Sequence, residues 1–350
     1  MKKTFLLTIM LTALLLPLAA CGEREEAEVK VVLTAGFLKD EVFRIESMSG
    51  MLPELMVYLT TAQNQYESVY GRQIWDIDWG GDTLEGHIKE TVLAQIAQIK
   101  TMNLMAAEYE VALDEEEAAL VALAAAEFFN SLNDTEKELM GVTLETIETL
   151  YAEYALAEKL YRHIVRDINP EISDDEARAV TVSHILLRTY ALDGTGKKIE
   201  YSDQTKADTL ARANRILEQA RSGEDFERLV MLHSEDEQSH YSFGKGEMEA
   251  AFEEAAFLLE TDEISDIIET SFGYHIIKCL STLNREETDN NKLKIVERRR
   301  NDVFGQEYNE FLQTLTRNIN IELWDDLTFL HNNDVKTRDF FDVFHRFSEN

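Results

Sequence analysis

Strand-forming residues fill the stretch Val180-Thr181-Val182-Ser183-His184-Ile185-Leu186-Leu187. A second stretch of this kind, Tyr274 to Leu280, follows later in the chain. Between the two, apolar spacing predicts an amphipathic helix over Thr205 to Arg221 and shorter helices around Phe226 and Phe252. A strand, several helices and a returning strand within one segment predict a compact α+β domain. This segment decides the fold class, and the rest of the chain is interpreted around it.

Helical patterns dominate the chain on both sides of this segment. Residues 29 to 180 are predicted to be helical, and Asn169-Pro170 ends the last long helix there, because the residue before proline resists helical geometry. Inside the segment, a polar loop is predicted over Arg188–Asp203. After the segment the pattern predicts a polar linker at Asn284–Asn291, a helix at Lys292–Arg317 and a strand at Ile319–Trp324. A final helix-like run carries several phenylalanines, which we expect to pack on the body of the protein. A membrane or partner contact is the alternative.

The N-terminus has the pattern of a secretory signal. Lys2 and Lys3 precede the apolar run Phe5 to Leu18, which is shorter than the roughly 20 residues of a membrane span. The sequence Leu18-Ala19-Ala20-Cys21 then resembles the bacterial lipobox, and an ordinary Ala-x-Ala cleavage site is the alternative. The lipobox predicts lipid attachment at Cys21 and a location outside the cytoplasm, anchored to the bacterial cell membrane.

The acidic composition excludes some classes of partner. The formal net charge is −33 at pH 7, from 67 acidic and 34 basic residues. Nucleic-acid binding needs a basic face and is not expected. The acidic surface could favour basic clients, although a solvated surface is the simpler interpretation. Besides Cys21 the chain has only Cys279, so no disulfide framework is predicted.

Seven short motifs follow one another through the α+β segment. In chain order they are Ser183-His184-Ile185-Leu186, Gly223-Glu224-Asp225-Phe226, His233-Ser234-Glu235-Asp236, Phe243-Gly244-Lys245-Gly246-Glu247-Met248, Phe252-Glu253-Glu254-Ala255-Ala256-Phe257, Glu263-Ile264-Ser265-Asp266 and Phe272-Gly273-Tyr274-His275-Ile276-Ile277-Lys278. Their order and spacing resemble the parvulin family of peptidyl-prolyl isomerases. The resemblance covers a little under a third of the chain and implies a small antiparallel sheet flanked by helices.

The resemblance also implies an active site. The implied catalytic residues are His184, Asp236, Thr270 and His275. The implied substrate-binding residues are Met248, Phe252 and Phe272, of which the first two form the apolar wall that holds the substrate proline. Rotation about an X-Pro bond breaks no bond, and we expect neither a metal nor another cofactor. Without the flanking motifs, the two histidines could be satisfied core residues or metal ligands, but a third metal ligand at a familiar spacing is not evident.

One part of the segment departs from the family pattern. Between Asp236 and Phe243 the family carries a longer loop with a Gly-Gly-Asp-Leu-Gly stretch, and here only Glu237 to Ser242 remain. The apolar residue that closes the proline pocket has no clear counterpart, although an alignment anchored on Phe243 offers His240. The shortening could weaken catalysis or change the residue preferred before proline. Phosphate-dependent substrates are not expected, because cations in the Arg188–Asp203 loop are few.

The order of segments resembles PrsA-type foldase lipoproteins and SurA-like chaperones. It implies a signal peptide at 1–20, an acylated Cys21 and tether at 21–30, and a helical chaperone-like domain at 31–178, followed by a parvulin-type domain at 179–282 and a C-terminal helix and tail at 283–350 that pack on the N-terminal domain. The implied function is isomerisation and chaperoning of unfolded exported proteins with X-Pro bonds. A holdase with a weak or inactive isomerase domain is the main alternative, and a structural envelope lipoprotein is a third.

Overall fold

The computed structural model describes residues 36–77, 83–194 and 196–348. The predicted signal peptide and Cys21 lie outside the described residues. The described chain forms two compact units, one from the residues up to Asp167 together with those from Asn301 onward, and one from Ile168–Arg300. Within the described ranges, no helix combines the length and apolar character that crossing a membrane requires. Small antiparallel sheets beside many helices confirm the predicted α+β class.

Helices make up most of the first unit. Their bounds are α1 Leu52–Tyr70, α2 Leu84–Glu108, α3 Glu115–Ser131, α4 Asp134–Met140 and α5 Leu144–Val165, with a 3-10 turn at Arg72–Asp76. Side-chain caps fix where these helices begin, since Thr83 accepts a hydrogen bond from the Gly86 amide and Asp114 accepts one from the Glu117 amide. α1 ends at Tyr70, and Gly71 follows as its C-terminal cap.

A β-hairpin precedes α1, so the prediction that residues 29 to 180 are helical is wrong at its start. The strands are β1 Glu41–Ile45 and β2 Met48–Met51, paired antiparallel. Gly50 allows the pairing, because a Cβ there would lie 2.0 Å from Cε1 of Phe43. The short apolar alternation of β1 carries little signal beside the long helical patterns that follow it.

The second unit holds the predicted α+β segment. Its elements are α6 Asp174–Ala177, β3 Val180–Arg188, β4 Tyr190–Leu192, β5 Lys198–Glu200, α7 Asp203–Arg221, α8 Phe226–His233, β6 His240–Phe243, α9 Ala250–Leu258, β7 Ile268–Thr270 and β8 Gly273–Ser281. Four strands form an antiparallel sheet in the order β6-β3-β8-β7. The predicted Arg188–Asp203 loop is wrong in part, because β4 and β5 form a hairpin within it.

Strand alternation divides this sheet into two apolar faces. Ile185 and Leu187 of β3 belong to the cluster formed with α7 and α8. Val180 and Val182 belong to the opposite cluster, which includes Phe252 of α9. His184 has the parity of Val180 and Val182, so its side chain is on the α9 face.

The C-terminal elements correct two further predictions. They are α10 Arg285–Leu312, β9 Arg317–Ile319, α11 Ile321–Asp326 and α12 Phe340–Ser348. The predicted linker Asn284–Asn291 is wrong, because Asn284 accepts a hydrogen bond from the Glu287 amide and α10 begins directly after it. The predicted strand Ile319–Trp324 is also wrong. Its first residue ends β9, which pairs with β1, and Asn320 then caps α11 through the Leu323 amide.

Candidate active site

Two buried histidines lie on neighbouring central strands of the second unit. His184 is on β3 and His275 is on β8, and the strands pair so that His184 faces Ile277 while Leu186 faces His275. The two rings are nearly parallel, at 15° and 5.4 Å between centroids. Their Nδ1 atoms are 3.2 Å apart. The sheet register therefore places both histidines, which the motifs predicted, in direct contact.

Asp236 and Thr270 bind the outer edges of the two rings. Nε2 of His184 is 3.1 Å from Oδ2 of Asp236, which lies in the loop after α8. Nε2 of His275 is 2.8 Å from Oγ1 of Thr270, the last residue of β7. All four predicted catalytic residues are thus connected by hydrogen bonds, and each comes from a different strand or loop.

The partners at the two ends give this hydrogen-bonded chain a direction. Nε2 of His184 faces the carboxylate of Asp236 and, at 3.3 Å, the carbonyl of Gln238, both of which can only accept. His184 therefore donates from Nε2, and its Nδ1 accepts from Nδ1 of His275. Nε2 of His275 must then accept from the Thr270 hydroxyl. The chain runs from Thr270 through both rings to Asp236.

Burial keeps both rings neutral at neutral pH. Desolvation, together with the charge that His184 would carry, lowers the pKa of His275 to about 4. Desolvation also lowers the pKa of His184, against the opposing effects of the Gln238 carbonyl and Asp236. The hydrogen-bond directions between Thr270 and Asp236 require both imidazoles to be neutral, and burial of the site favours the neutral form of each.

An apolar cavity of about 340 Å³ opens beside the histidines. Met248, Phe252 and Phe272, the predicted substrate-binding residues, all line it together with the four predicted catalytic residues. The Phe252 ring meets both histidines edge-on, at 5.4 Å from His184 and 5.1 Å from His275. Phe272 is 50% exposed at the mouth of the cavity. The cavity has the size and apolar character that a proline ring and its neighbours require.

Tyr241 is a lining residue that the sequence analysis missed. It lies on β6 and contributes its ring to the cavity, while its hydroxyl donates to Oδ2 of Asp236 at 3.1 Å. Burial and the neighbouring Asp236 raise the pKa of Tyr241 to about 12. The offered counterpart, His240, is wrong for this role, because its ring is outside the cavity lining and its Nε2 lies 3.2 Å from Oε2 of Glu227. The apolar residue at 241, two positions before the apolar Phe243, was the available signal.

Two features hold the turn between β7 and β8 in place. The Glu249 carboxylate at the start of α9 accepts hydrogen bonds from the Ser271 amide at 3.0 Å and the Ser271 hydroxyl at 2.8 Å. Gly273 has φ of 140°, and a Cβ there would lie 2.2 Å from the Leu187 carbonyl oxygen. Thr270 and Phe272 are therefore positioned from α9 on one side and from β3 on the other.

Family comparison identifies the class of this domain. Residues 184–281 match the rotamase family described as the PPIC-type PPIASE domain. These residues are therefore a PPIC-type rotamase domain, and the parvulin resemblance predicted from the seven motifs is confirmed.

Similarity extends to proteins called foldases. The chain is 28% identical over 218 residues to the foldase protein PrsA of Halalkalibacterium halodurans, covering 60% of this chain and 62% of that protein. It is 34% identical over 137 residues to foldase protein PrsA 4 of Bacillus cereus, covering 36% and 43%. A crystal structure of PrsA from Bacillus cereus aligns with 77% of this chain and 97% of that chain, at 22% identity and a TM-score of 0.34. The matched region spans less than two thirds of either curated relative.

Proposed function

We propose that this protein is a peptidyl-prolyl cis-trans isomerase and folding chaperone for exported proteins outside the cytoplasmic membrane. The observation that carries the proposal is the series of hydrogen bonds that runs from Thr270 through His275 and His184 to Asp236. These groups line an apolar cavity. The similarity of the protein to PrsA foldases supports the chaperone role. Residues 179–282 are the isomerase domain in this proposal, and residues 31–178 with 283–350 are the chaperone-like domain.

Catalysis needs only preferential binding of the twisted amide. Amide resonance opposes rotation about the X-Pro bond with a barrier of about 20 kcal/mol. The site must bind the twisted amide more tightly than either planar isomer. Met248, Phe252 and Tyr241 hold the proline ring in the cavity, so the preceding carbonyl can rotate while the ring stays fixed. Because every group of the hydrogen-bonded chain is already in place, it needs no reorganisation during the rotation.

Asp236 acts through its charge in this mechanism. Resonance in a planar amide places negative charge on the carbonyl oxygen, and twisting removes part of it. A carboxylate facing the cavity therefore disfavours the planar amide relative to the twisted one. The bonds that Asp236 accepts from His184 and Tyr241 fix its direction. A covalent adduct on Asp236 during turnover would contradict this role.

Lipid attachment at Cys21 is the proposed means of anchoring to the cell membrane. The supporting observation is the sequence Leu18-Ala19-Ala20-Cys21 after an apolar run. Growth with an alkyne-tagged fatty acid should label the protein and leave Cys21→Ser unlabelled. Labelling of the Cys21→Ser variant, or a mature protein whose N-terminus is not residue 21, would contradict the anchor.

Isomerisation of short X-Pro peptides tests the proposed activity. We expect acceleration by the soluble form that starts at Gly22, and a loss of it in Asp236→Ala. Glu237→Ala is the matched control, since Glu237 is the exposed neighbour of Asp236 and should leave the rate unchanged. Absence of acceleration across a panel of residues before proline, with aggregation of unfolded proteins still suppressed, would instead support the holdase alternative.

A further inference from the structure

A segment at the C-terminus lies across the helices of the first unit in a manner typical of a bound peptide. Residues 327–339 form neither helix nor strand and connect α11 to α12. We call residues 327–348 the strap. Leu327, Phe329, Val335 and Phe340 are buried, whereas most side chains between them are exposed. Buried apolar side chains separated by exposed polar ones are the pattern of an extended chain in a groove.

Polar side chains of the helices bind the main chain of the strap. The Gln63 amide donates to the Leu330 carbonyl at 3.0 Å and accepts from the Leu330 N–H at 3.1 Å. Oε1 of Glu136 accepts from the N–H groups of Lys336 and Thr337, both at 2.8 Å. The Gln63 pair reproduces what a neighbouring β-strand would offer residue 330, whereas the two consecutive amides at 336 and 337 converge on one carboxylate oxygen.

Three further side chains of the helices donate hydrogen bonds to main-chain carbonyls of the strap. Asn133 donates to the Asp334 carbonyl at 2.9 Å, Asn64 to the Thr337 carbonyl at 2.7 Å, and the Tyr151 hydroxyl to the Phe340 carbonyl at 2.6 Å. Gln63 is 2% exposed and Glu136 is 1% exposed, so these polar groups are buried with the strap backbone as partner. A groove that binds main-chain atoms is tolerant of sequence, because every residue offers the same groups.

Apolar pockets hold the strap side chains between these polar contacts. The Phe329 ring packs edge-on against Trp75 at 4.9 Å. Phe340 lies among aromatic rings, at 4.5 Å from Tyr151 and 5.2 Å from both Tyr58 and Phe128. One side-chain ion pair of the strap, Arg346 with Glu127, involves half-exposed groups at the rim, whereas the contact of His345 with Glu158 is largely buried. The groove therefore selects apolar side chains at intervals and binds main-chain atoms between them, and the strap turns once within it, at Asn332 to Val335.

The groove is open at the start of the strap. A cavity of about 410 Å³ lies at the start of the strap, lined by apolar side chains that include Leu52, Met56 and Leu139 and by Leu327 and Leu330 of the strap itself. Three acidic residues, Asp40, Glu138 and Asp326, also line it. Leu139 is 42% exposed there. This part of the groove has room for an apolar side chain and charge that favours a basic neighbour.

We propose that this groove binds an apolar segment of an unfolded protein that carries basic residues, and that the strap is its internal competitor. The choice of an unfolded protein as occupant rests on the proposed chaperone function. The strap occupies the groove when such a chain is absent and keeps the aromatic pockets covered. A client segment displaces the strap, gains the same main-chain contacts, and places apolar side chains beside the acidic residues of the cavity that Leu327 and Leu330 of the strap now line.

Tethering sets how strongly the strap competes. A segment joined by a short linker has an effective concentration on the order of millimolar at its own site. A free peptide therefore meets an open groove only in the fraction of molecules whose strap has left, and its apparent affinity falls by that fraction. Weakening the strap without altering the groove should raise the apparent affinity.

A labelled peptide with the sequence of residues 327–348 is the first probe, measured by fluorescence anisotropy with the full soluble chain. We expect Phe340→Ala, which weakens the strap alone, to bind it about tenfold more tightly than the unaltered chain. Adding Gln63→Ala, which removes a groove contact, should reverse most of that gain. His331→Ala is the control, because His331 is an exposed strap residue. Equal affinity of all variants would overturn the proposal.

A second peptide tests tolerance of sequence. It keeps the apolar residues of positions 327, 329, 335 and 340 and changes the polar residues between them. We expect the Phe340→Ala chain to bind it within about threefold of the first peptide, as main-chain recognition requires. Loss of binding would show that the polar side chains are read and would overturn a client groove.

Hydrogen exchange of the unaltered chain tests strap opening without any variant. We expect the amides of Leu330, Lys336 and Thr337 to exchange together, and sooner than amides inside α5, because the strap opens without unfolding the helices. Exchange of these amides only with global unfolding would overturn the proposal. Because the measurement uses the unaltered chain, it does not depend on whether Phe340→Ala folds. A dimer formed through exchanged straps would assign the groove to a second copy and also overturn it. Isomerisation is measured separately, so either proposal can fail alone.

Discussion

Nδ1 of His184 and Nδ1 of His275 lie 3.2 Å apart, so one ring must donate and the other must accept. Asp236 and the Gln238 carbonyl decide which, because both require a hydrogen on Nε2 of His184. A proton added to His275 leaves its donation to His184 intact but removes the acceptor that the Thr270 hydroxyl needs. A proton added to His184 places two N–H groups face to face. The site therefore works with two neutral rings.

The pH profile should show this requirement. The pKa of His275 is lowered from its ordinary value of 6.5 to about 4, chiefly by burial. We expect kcat/KM for an X-Pro peptide to stay level from about pH 8 to pH 5.5 and to fall as pH approaches 4. Nuclear magnetic resonance of the His275 ring gives the microscopic titration. A midpoint near 6.5 would contradict a buried, neutral pair.

The same shift couples stability to pH. Between pH 6.5 and 4 the unfolded chain binds a proton at position 275 that the folded chain does not bind, so the free energy of unfolding falls as pH falls. A folded pKa of about 4 corresponds to a loss of about 3 kcal/mol once pH is below it. Denaturant unfolding of the second unit, followed by circular dichroism across this window, checks the sign. His275→Gln should flatten the dependence, and an unchanged slope in that variant would assign it to other groups.

The Thr270 hydroxyl sets the donor direction of the hydrogen-bond series at the end opposite Asp236. Thr270→Val keeps the shape of the side chain and removes the hydroxyl that donates to Nε2 of His275. We expect kcat/KM to fall about tenfold, the equivalent of one hydrogen bond of about 1.4 kcal/mol. Thr270→Ser restores the hydroxyl and should recover most of the rate. If the valine and serine variants behave alike, packing at position 270 matters and the hydroxyl does not.

Charge and hydrogen bonding at Asp236 can be separated. Asp236→Asn keeps an oxygen that accepts from His184 and Tyr241 but removes the negative charge. We expect kcat/KM to fall by roughly tenfold to a hundredfold, close to the loss in Asp236→Ala, because the proposed mechanism uses the charge. A rate near that of the unaltered enzyme in Asp236→Asn would show that hydrogen bonding alone is sufficient.

Local sequence signals were sufficient for the histidines and insufficient for Tyr241. His184 and His275 lie in nine-residue strands rich in apolar and β-branched residues, and motifs flank both. Tyr241 reaches the cavity only because the four-residue β6 pairs with β3, with Val182 opposite Tyr241. The distant pairing of the first sheet was missed for the same reason, since β1 pairs with β9, where Phe43 faces Ile319 at the far end of the chain. Pairings between distant short segments leave almost no periodicity in the sequence.

Tyr241 lines the cavity beside the short connection between Asp236 and Phe243. Tyr241→Ala removes the ring and should raise KM for an X-Pro peptide several-fold, while Tyr241→Phe keeps the ring and should cost less than about threefold. The phenylalanine variant isolates the hydroxyl contact to Asp236. His240→Ala is the matched control on the same strand, because His240 lies outside the cavity lining. A larger effect in His240→Ala than in Tyr241→Ala would return the role to His240.

Lys100 is a buried cation of the first unit and tests that unit separately. Its side chain is 2% exposed, and its Nζ lies 3.1 Å from Glu54 and 2.9 Å from Glu153. Burial raises the pKa of Glu153, against the opposing effect of Lys100. Lys100→Met leaves two carboxylates buried without their cation, and loss of one partner of such a group costs about 3–5 kcal/mol.

Tryptophan fluorescence reads this loss in the first unit alone, because Trp75, Trp79 and Trp324 all lie outside residues 168–300. We expect the denaturant midpoint of Lys100→Met to fall sharply and to recover in part when Glu153→Gln removes one of the two charges. Lys159→Met is the control, since Lys159 pairs with Glu117 at the surface and should cost under about 1 kcal/mol. A Lys100→Met chain as stable as the control would mean that the carboxylates take up protons at little cost. The ion pair would then contribute nothing to holding α1, α2 and α5 together.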